Sequence, residues 1–216
     1  MKASPVLLIS VVLVFATFLR SAYSADPDPV RDFVTGLSNF TLRNIFKNGD
    51  VSNDTGGIRA ATNPQNFPAV RTQGLSVVRF KMVACGSYLP HTHPRASEVL
   101  SLLSGGPLQV GFVDTTGASH IDILYPGDVT VFPRGVLHFE LNVGNVEAEY
   151  LSALNSENPG TLTSTEALFH IPLRALATSL NVDQKTVNGL NSTVPRYAPG
   201  LKKTVNSGCV PGRDIT

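Results

Sequence analysis

The side chains best placed for chemistry lie between residues 90 and 98. His91 and His93 are two positions apart, so on a β-strand both imidazoles would point to the same face. Glu98 follows where the next strand is expected to begin, and its carboxylate can bring an oxygen to the same point. Imidazole and carboxylate groups are ligands of divalent transition metals. The stretch therefore predicts part of a metal site.

A second stretch supplies a further imidazole. Gly127, Pro133 and Gly135 frame a tight turn, and His138 follows on an expected strand. Either stretch alone is compatible with solvent-exposed histidines and a solvated carboxylate. Three buried imidazoles and a carboxylate without a cation would be costly, however, so the combination favours metal binding. The predicted ligands are His91, His93, Glu98 and His138.

The predicted ligand set limits the chemistry of the site. Three neutral imidazoles and one carboxylate leave a divalent ion with a formal charge of +1, and an octahedral ion would keep two open positions. Such a site attracts small anions. Nitrogen and oxygen ligands without thiolate are compatible with Mn, Fe, Zn or Ni, and the general order of metal affinities does not favour Mn.

The elements that must position these residues are short runs of Val, Leu, Ile and Phe separated by Gly and Pro turn signals. Seven such strands at this spacing predict one all-β sandwich or barrel. Residues 25–68 lack periodicity and are expected to form an extended segment, residues 69–160 the β-barrel core, and residues 161–216 a helical arm and tail. The predicted strands are Leu75–Ala84, Val99–Ser104, Leu108–Val113, Ile121–Tyr125, Val129–Phe132, His138–Val143 and Ala148–Leu154.

The arm carries helix signals. Thr163 and Glu166 have capping-box spacing, and Asn181 can cap a further short helix. A leucine stripe, expected to lie in the core or in a subunit interface, runs through the arm at Leu168, Leu173, Leu176 and Leu180.

Composition indicates a folded, secreted protein. The 216 residues are 42% apolar and 15% charged, which excludes disorder. Residues 1–24 have the pattern of a signal peptide, because Lys2 precedes a 14-residue apolar stretch that is followed by small residues. The remaining 192 residues carry a formal charge of −1, which argues against nucleic acid or anionic membranes as partners. Glycosylation sequons begin at Asn39, Asn53 and Asn191.

Several polar residues receive no role in the predicted site. His120 and His170 are expected at the surface or in packing, and Asn142 either orders His138 or belongs to a turn or ladder. The two cysteines, Cys85 and Cys209, allow one intrachain bridge at most. The sequence leaves that bridge and two unpaired thiols equally open.

The two stretches resemble the paired motifs of the cupin superfamily, in the form found in plant germins and germin-like proteins. The resemblance covers most of the chain after the signal peptide, including residues 26–29, 65–68 and 155–160. Two departures stand out: the cysteine pair usual near the germin N-terminus is missing, and Cys85 occupies the first glycine of the first motif. The motif residues are His91, His93, Glu98 and Gly105, then Gly127, Pro133, Gly135, His138 and Asn142.

The resemblance implies a single jelly-roll β-barrel that binds manganese through the four predicted ligands, which would also be the catalytic residues. A redox-active ion with open positions can take an electron from one superoxide and pass it to a second, giving hydrogen peroxide. Oxalate-oxidising germins place two asparagines where this chain has Val78 and Tyr88, which cannot reproduce the hydrogen bonds of an amide. We therefore expect superoxide dismutation. Oxalate oxidation and a non-enzymatic role as a cell-wall binding or receptor-type protein are the alternatives.

The resemblance also implies location and assembly. Germin-like proteins are expected in the extracellular space or cell wall, as dimers joined by their barrels and as a trimer of dimers clasped by the C-terminal helices. The expected partners are a small anionic substrate and further copies of the chain.

Overall fold

The computed structural model describes residues 31–194, 200–203 and 208–213. The predicted signal peptide, residues 1–24, lies outside the described residues. The strands of the described part are β1 (Asp50–Asp54), β2 (Gly57–Ala61), β3 (Ser76–Met82), β4 (Ser87–Thr92), β5 (Glu98–Val113), β6 (Ser119–Leu124), β7 (Val129–Phe132), β8 (Leu137–Leu154) and β9 (Leu162–Thr163). Its helices are α1 (Ile45–Asn48), α2 (Ser164–Leu168), α3 (Leu173–Leu180) and α4 (Gln184–Asn191), with a 3-10 turn at Pro68–Val70.

Two long antiparallel strands organise the sheet. β5 pairs with β8 from Glu98 opposite Leu154 to Val113 opposite Leu137. Three register shifts between Leu102 and Leu108 interrupt this ladder, and irregularities of this kind bend a strand pair. The sequence predicted two strands in place of each long one, and in β5 the reason is that the Gly105–Pro107 run has the composition of a turn. The two long strands instead curve, and each of them belongs to both sides of a curled sheet that forms a half-barrel.

The outer strands add to this pair on both sides. One half of β8 pairs with β3 and the other half with β4, while β5 also pairs with β6 and β7. The pairings are antiparallel. The prediction of one all-β unit followed by helices is confirmed.

The core lies inside the curled sheet. Residues of β3 alternate between buried and half-buried, which is the period-two pattern of a strand with one face on a core. Phe80 of β3 stacks on Tyr150 of β8 with ring centroids 4.4 Å apart. β5 contributes fully buried aliphatic side chains, namely Leu100, Leu102, Leu108 and Val110.

The segment before the predicted barrel is more regular than its sequence indicated. Residues 25–68 were expected to be extended loops, yet β1 and β2 lie there as a hairpin, and β2 pairs with β3. Their strand signal is weak because Asp and Asn fill three of the five positions of β1. The pairing with β3 therefore supplies the order that local propensity lacks.

The helical arm begins and ends differently from the predicted capping scheme. Thr163 precedes α2 but its side chain caps no backbone N–H. Asn181 ends α3 in the left-handed conformation, and Asp183 caps α4 by accepting a hydrogen bond from the Thr186 N–H at 2.7 Å. The arm buries part of its leucine stripe internally, since Leu176 packs with Ala177 and Val187. Leu168 and Leu180 are exposed. Among the described residues, no helix is long and apolar enough to cross a membrane.

The C-terminal tail is fastened to the start of β4. Cys85 and Cys209 form a disulfide across 124 residues, with their Cα atoms 5.8 Å apart, which decides the question that the sequence left open. Ser87 and Lys202 exchange two backbone hydrogen bonds of 2.8 Å, and Leu201, next to Lys202 in the chain, is fully buried. Cys85 has a φ of +61°, a conformation that glycine adopts without strain. This explains why the motif carries glycine at that position.

We predict that Cys209→Ser lowers the free energy of unfolding by about 2–4 kcal/mol, because a long cross-linked loop restricts the unfolded chain. Replacing Cys85 by Gly in that variant should restore about 1 kcal/mol by removing a left-handed non-glycine residue. Chemical denaturation in oxidising buffer measures both effects, with the reduced wild-type protein as control. A Cys209→Ser variant as stable as the oxidised wild type would contradict the prediction.

Candidate metal centre

Three strands bring the four predicted ligands together. His91 on β4 lies directly opposite His138 on β8, and Glu98 is the first residue of β5. His93 follows β4 immediately. A register shift separates Tyr88 and His91, so both side chains are buried although they are three positions apart. Without this bulge, strand alternation would direct one of them away from the interior.

The ligand atoms converge on one point. The His91 and His93 Nε2 atoms are 3.2 Å apart, and Glu98 Oε2 lies 3.1 Å from His93 Nε2 and 3.5 Å from His138 Nε2. All four ligand atoms lie within 4.8 Å of one another, and each residue is at most 6% exposed. This places three nitrogens and one oxygen around a space of the size that a single cation occupies.

Backbone carbonyls determine which imidazole nitrogen is free. Nδ1 of His91 is 2.8 Å from Leu89 O, Nδ1 of His138 is 2.9 Å from Val136 O, and Nδ1 of His93 is 2.6 Å from Gly160 O. Because a carbonyl can only accept, each Nδ1 donates its proton, and in a neutral ring the Nε2 lone pair then faces the centre.

The electrostatics of the group fit a bound divalent ion. Burial, followed by neighbouring His138 and His93, lowers the pKa of His91 well below its usual range and so favours the neutral form that binds metals. Burial raises the pKa of Glu98, but the neighbouring imidazoles of His138 and His93 outweigh this, so that its pKa lies below the usual range and the group stays ionised. His138 Nε2 has no hydrogen-bond partner. A cation would satisfy this nitrogen and relieve the repulsion between the His91 and His93 lone pairs.

A loop after β8 supports His93 from outside. Gly160, whose carbonyl accepts the hydrogen bond from His93 Nδ1, has a φ of +67°, and a Cβ there would lie 2.8 Å from the Arg95 guanidinium. Arg95 in turn donates to the backbone and side-chain oxygens of Asn158 at 2.6 and 2.8 Å. Arg95 is exposed, but its side chain also holds the loop that orients His93.

A small cavity borders the ligands. This inner chamber has a volume of about 20 Å³ and lies beside His93 and Glu98. An outer pocket of about 170 Å³ shares Arg59, Val78, Pro159 and Thr161 with it. Tyr88 and Val78, the positions expected to lack substrate donors, both line the inner chamber. Burial raises the pKa of Tyr88 to about 12, so its hydroxyl stays protonated.

The three polar residues that received no role in the predicted site, His120, His170 and Asn142, lie outside the ligand group. His120 is exposed and its Nε2 is 2.9 Å from Asp114 Oδ2, and His170 is exposed in the turn after α2. The Asn142 amide donates to Met82 O at 2.9 Å and to Val146 O at 2.8 Å, so this residue joins strands and does not order His138.

The sequence reasoning missed three buried polar residues near the ligands. Glu140 lies opposite Tyr88 and is 1% exposed; burial and the nearby charge of Glu98 raise its pKa well above the usual range. Arg59 and Ser152 line the inner chamber. A signal existed for Glu140, which shares the face of His138 by strand alternation. No sequence motif marks Arg59 or Ser152. Whether their side chains face the ligands depends on how β2 and β8 pair with other strands in the folded protein.

The chain is similar to proteins of known families. The model of the cupin family, described as Cupin, matches residues 43–188. Putative germin-like protein subfamily 1 member 9 of Arabidopsis thaliana is 34% identical, over 85% of this chain and 95% of its own length. Germin-like protein 3-8 of Oryza sativa subsp. japonica is 31% identical, over 88% of this chain and 97% of its own. A solved structure of oxalate oxidase in complex with the substrate analogue glycolate superposes with a TM-score of 0.69 at 27% identity, covering 78% of this chain and 97% of that one.

We predict that His91→Ala and His138→Ala each strongly reduce the bound metal, because each removes one of four ligands and leaves the Glu98 charge less balanced. Elemental analysis after dialysis measures the metal content. His120→Ala, which alters an exposed imidazole outside the ligand group, is the matched control and should retain its metal. Full metal content in the His91→Ala/His138→Ala double variant would show that the assignment is wrong.

We further predict that Glu140→Gln changes the pH dependence of stability in the metal-free protein. The folded state keeps Glu140 protonated after the unfolded chain has ionised, so the wild type loses stability as pH rises above about 4.5, by up to about 1.4 kcal/mol per pH unit. The amide cannot ionise, so the variant should lack this part of the slope. Denaturation between pH 4 and 7 measures it, and parallel curves for the two proteins would contradict the prediction.

Proposed function

The chain belongs to the cupin family and, within it, to the germin-like proteins, and on this premise we propose that it is a secreted manganese-dependent superoxide dismutase that produces hydrogen peroxide. His91, His93, Glu98 and His138 are proposed as the metal ligands and, through the metal, as the catalytic residues. The observation that carries the proposal is the convergence of their four ligand atoms within 4.8 Å in a buried site.

The reaction follows from the charge and size of the site. When bound, manganese would supply one-electron redox chemistry: one superoxide is oxidised to dioxygen, and a second is reduced with two protons to hydrogen peroxide. The protein's residues hold the three Nε2 lone pairs on one point and leave a net positive charge for an anion. The Nδ1 hydrogen bonds to Leu89, Val136 and Gly160 keep the imidazoles in that orientation.

The inner chamber favours a small substrate. Its volume of about 20 Å³ is little more than the 10–15 Å³ or so that one water molecule requires, whereas oxalate has six heavy atoms. Tyr88 and Val78 line its wall and add no amide donor to it. These features support superoxide ahead of a dicarboxylate. Manganese itself is favoured by the family membership, since the ligand types also suit Fe, Zn and Ni.

Oxalate oxidation is the second candidate. The similar oxalate oxidase structure holds glycolate, and the Arg59 guanidinium beside the inner chamber could interact with a carboxylate. A non-enzymatic cell-wall binding or receptor-type role is the third. In this role the metal would only need to stabilise the fold or to bind a ligand.

Secretion and assembly complete the proposal. The signal-peptide pattern of residues 1–24 supports export to the extracellular space or cell wall, with sugars on one or more of Asn39, Asn53 and Asn191. Asn39 and Asn53 are exposed, as glycosylation requires. A homohexamer built as a trimer of dimers is supported by apolar side chains that the helical arm leaves exposed, namely Leu168, Ile171, Leu180, Val182 and Leu190.

We predict that the manganese-loaded protein dismutates superoxide and releases peroxide from oxalate at least about a hundredfold more slowly than a germin oxalate oxidase, because amide donors to a dicarboxylate are missing. Parallel assays with superoxide and with oxalate measure this. Val78→Asn/Tyr88→Asn should raise the oxalate activity, and Val78→Thr/Tyr88→Phe is the control without amides. Strong peroxide release from oxalate with no effect on superoxide would overturn the ranking, and inactivity toward both would favour the binding role.

A further inference from the structure

A buried arginine faces the candidate metal centre from β2. Arg59 is 9% exposed, and its Nε and Nη1 atoms have no hydrogen-bond partner. Asp50 approaches it, with Oδ2 3.7 Å from Nη1, but this distance exceeds a hydrogen bond and the Asp50 side chain is 57% exposed. The Arg59 charge is therefore poorly compensated, although a buried charge normally requires a close partner.

A second unpaired donor lies near it. Ser152 on β8 is 1% exposed, and its hydroxyl has no hydrogen-bond partner. Strand pairing places Ser152 beside Val78 of β3, which in turn lies beside Ala61 of β2, two residues from Arg59. Both Arg59 and Ser152 line the inner chamber next to His93 and Glu98. Two buried donors without acceptors are costly, and one anion in the inner chamber could accept from both.

Arg59 also lines the outer pocket. The outer pocket and the inner chamber share Arg59, Val78, Pro159 and Thr161, so the guanidinium lies at the junction of the two spaces. A cation at the narrow junction of a water-accessible pocket and a buried site raises the local concentration of anions. Asp50 lines the outer pocket as well and weakens this effect by its own negative charge.

We infer that Arg59 and Ser152 form an anion subsite that draws a small monoanion from the outer pocket and holds it in the inner chamber beside the metal ligands. The anion is limited to a few atoms by the chamber volume of about 20 Å³. The inference deepens the proposed function and rests on it in one respect, that the physiological anion is superoxide. Arg59 acts by binding and orienting the anion and takes no part in electron transfer.

Azide is a suitable probe because it is a small, linear monoanion. Its dissociation constant for the metal-loaded protein can be measured by isothermal titration calorimetry, with metal content checked in every variant. Arg59→Gln should weaken azide binding about 10- to 100-fold, since hydrogen bonds to charged groups are the strong ones. Arg59→Lys keeps the positive charge but lacks the planar guanidinium group, so its azide affinity should lie between those of Arg59→Gln and the wild type.

Two further variants test the same subsite independently. Ser152→Ala should weaken azide binding about 2- to 10-fold by removing one neutral donor. Asp50→Asn should strengthen it a few-fold, because the competing carboxylate charge is lost. This gain in affinity tests the subsite even if Arg59→Gln fails to fold, because misfolding cannot produce tighter binding.

The outcomes separate the subsite from the proposed function. Unchanged azide affinity in Arg59→Gln with full metal content overturns the subsite, and so does unchanged affinity in Asp50→Asn. Loss of metal in both Arg59→Gln and Arg59→Lys also overturns it, because Arg59 would then support the metal ligands. Arg59-dependent azide binding in a protein without dismutase activity supports the subsite and defeats the proposed function. Dismutase activity with Arg59-independent azide binding defeats the subsite alone.

Discussion

Hydrogen bonds from three imidazole Nδ1 atoms to backbone carbonyls are the interactions on which the candidate metal centre depends. The carbonyls of Leu89, Val136 and Gly160 accept these protons, so the three Nε2 lone pairs are directed at one point. Two of the carbonyls belong to or border paired strands, and the third belongs to a loop held by Arg95. The orientation of the ligands thus depends on backbone carbonyls, which the paired strands position for His91 and His138 and which the loop held by Arg95 positions for His93.

Charge balance is the second constraint on this interior. Glu98 is held ionised by His138 and His93, while burial and the charge of Glu98 keep Glu140 protonated. The barrel therefore carries one buried negative charge at the ligands and one buried positive charge on Arg59. A divalent ion bound to the four ligands would add two positive charges, and the interior would then have an excess that a small anion can neutralise. Metal binding and anion attraction thus have one electrostatic origin.

The local sequence pattern predicted strand positions accurately where a strand has one buried face and clear turn signals at its ends. β7 was predicted with its observed bounds, and β3 and β6 were predicted within one or two residues, because alternation and turn signals agree there. β5 and β8 were each predicted as two strands. In β5 the Gly105–Pro107 run has the composition of a turn, and only its pairing with β8 shows that it is a bend. The β1–β2 hairpin was missed because its order comes from pairing with β3, which local composition does not reveal.

The sequence by itself determined the ligand types and their grouping, because the spacing of His91, His93, Glu98 and His138 belongs to a recognisable pair of motifs that single residues seldom reproduce by chance. It also determined that the fold is all-β and that a helical arm follows. Only the tertiary structure decided that a bulge turns His91 toward His138, that Cys85 pairs with Cys209, and that Arg59 and Ser152 share a chamber with the ligands. These facts join residues up to 124 positions apart, and contacts at such separations are set by strand register and by closure of the core, which no local pattern encodes.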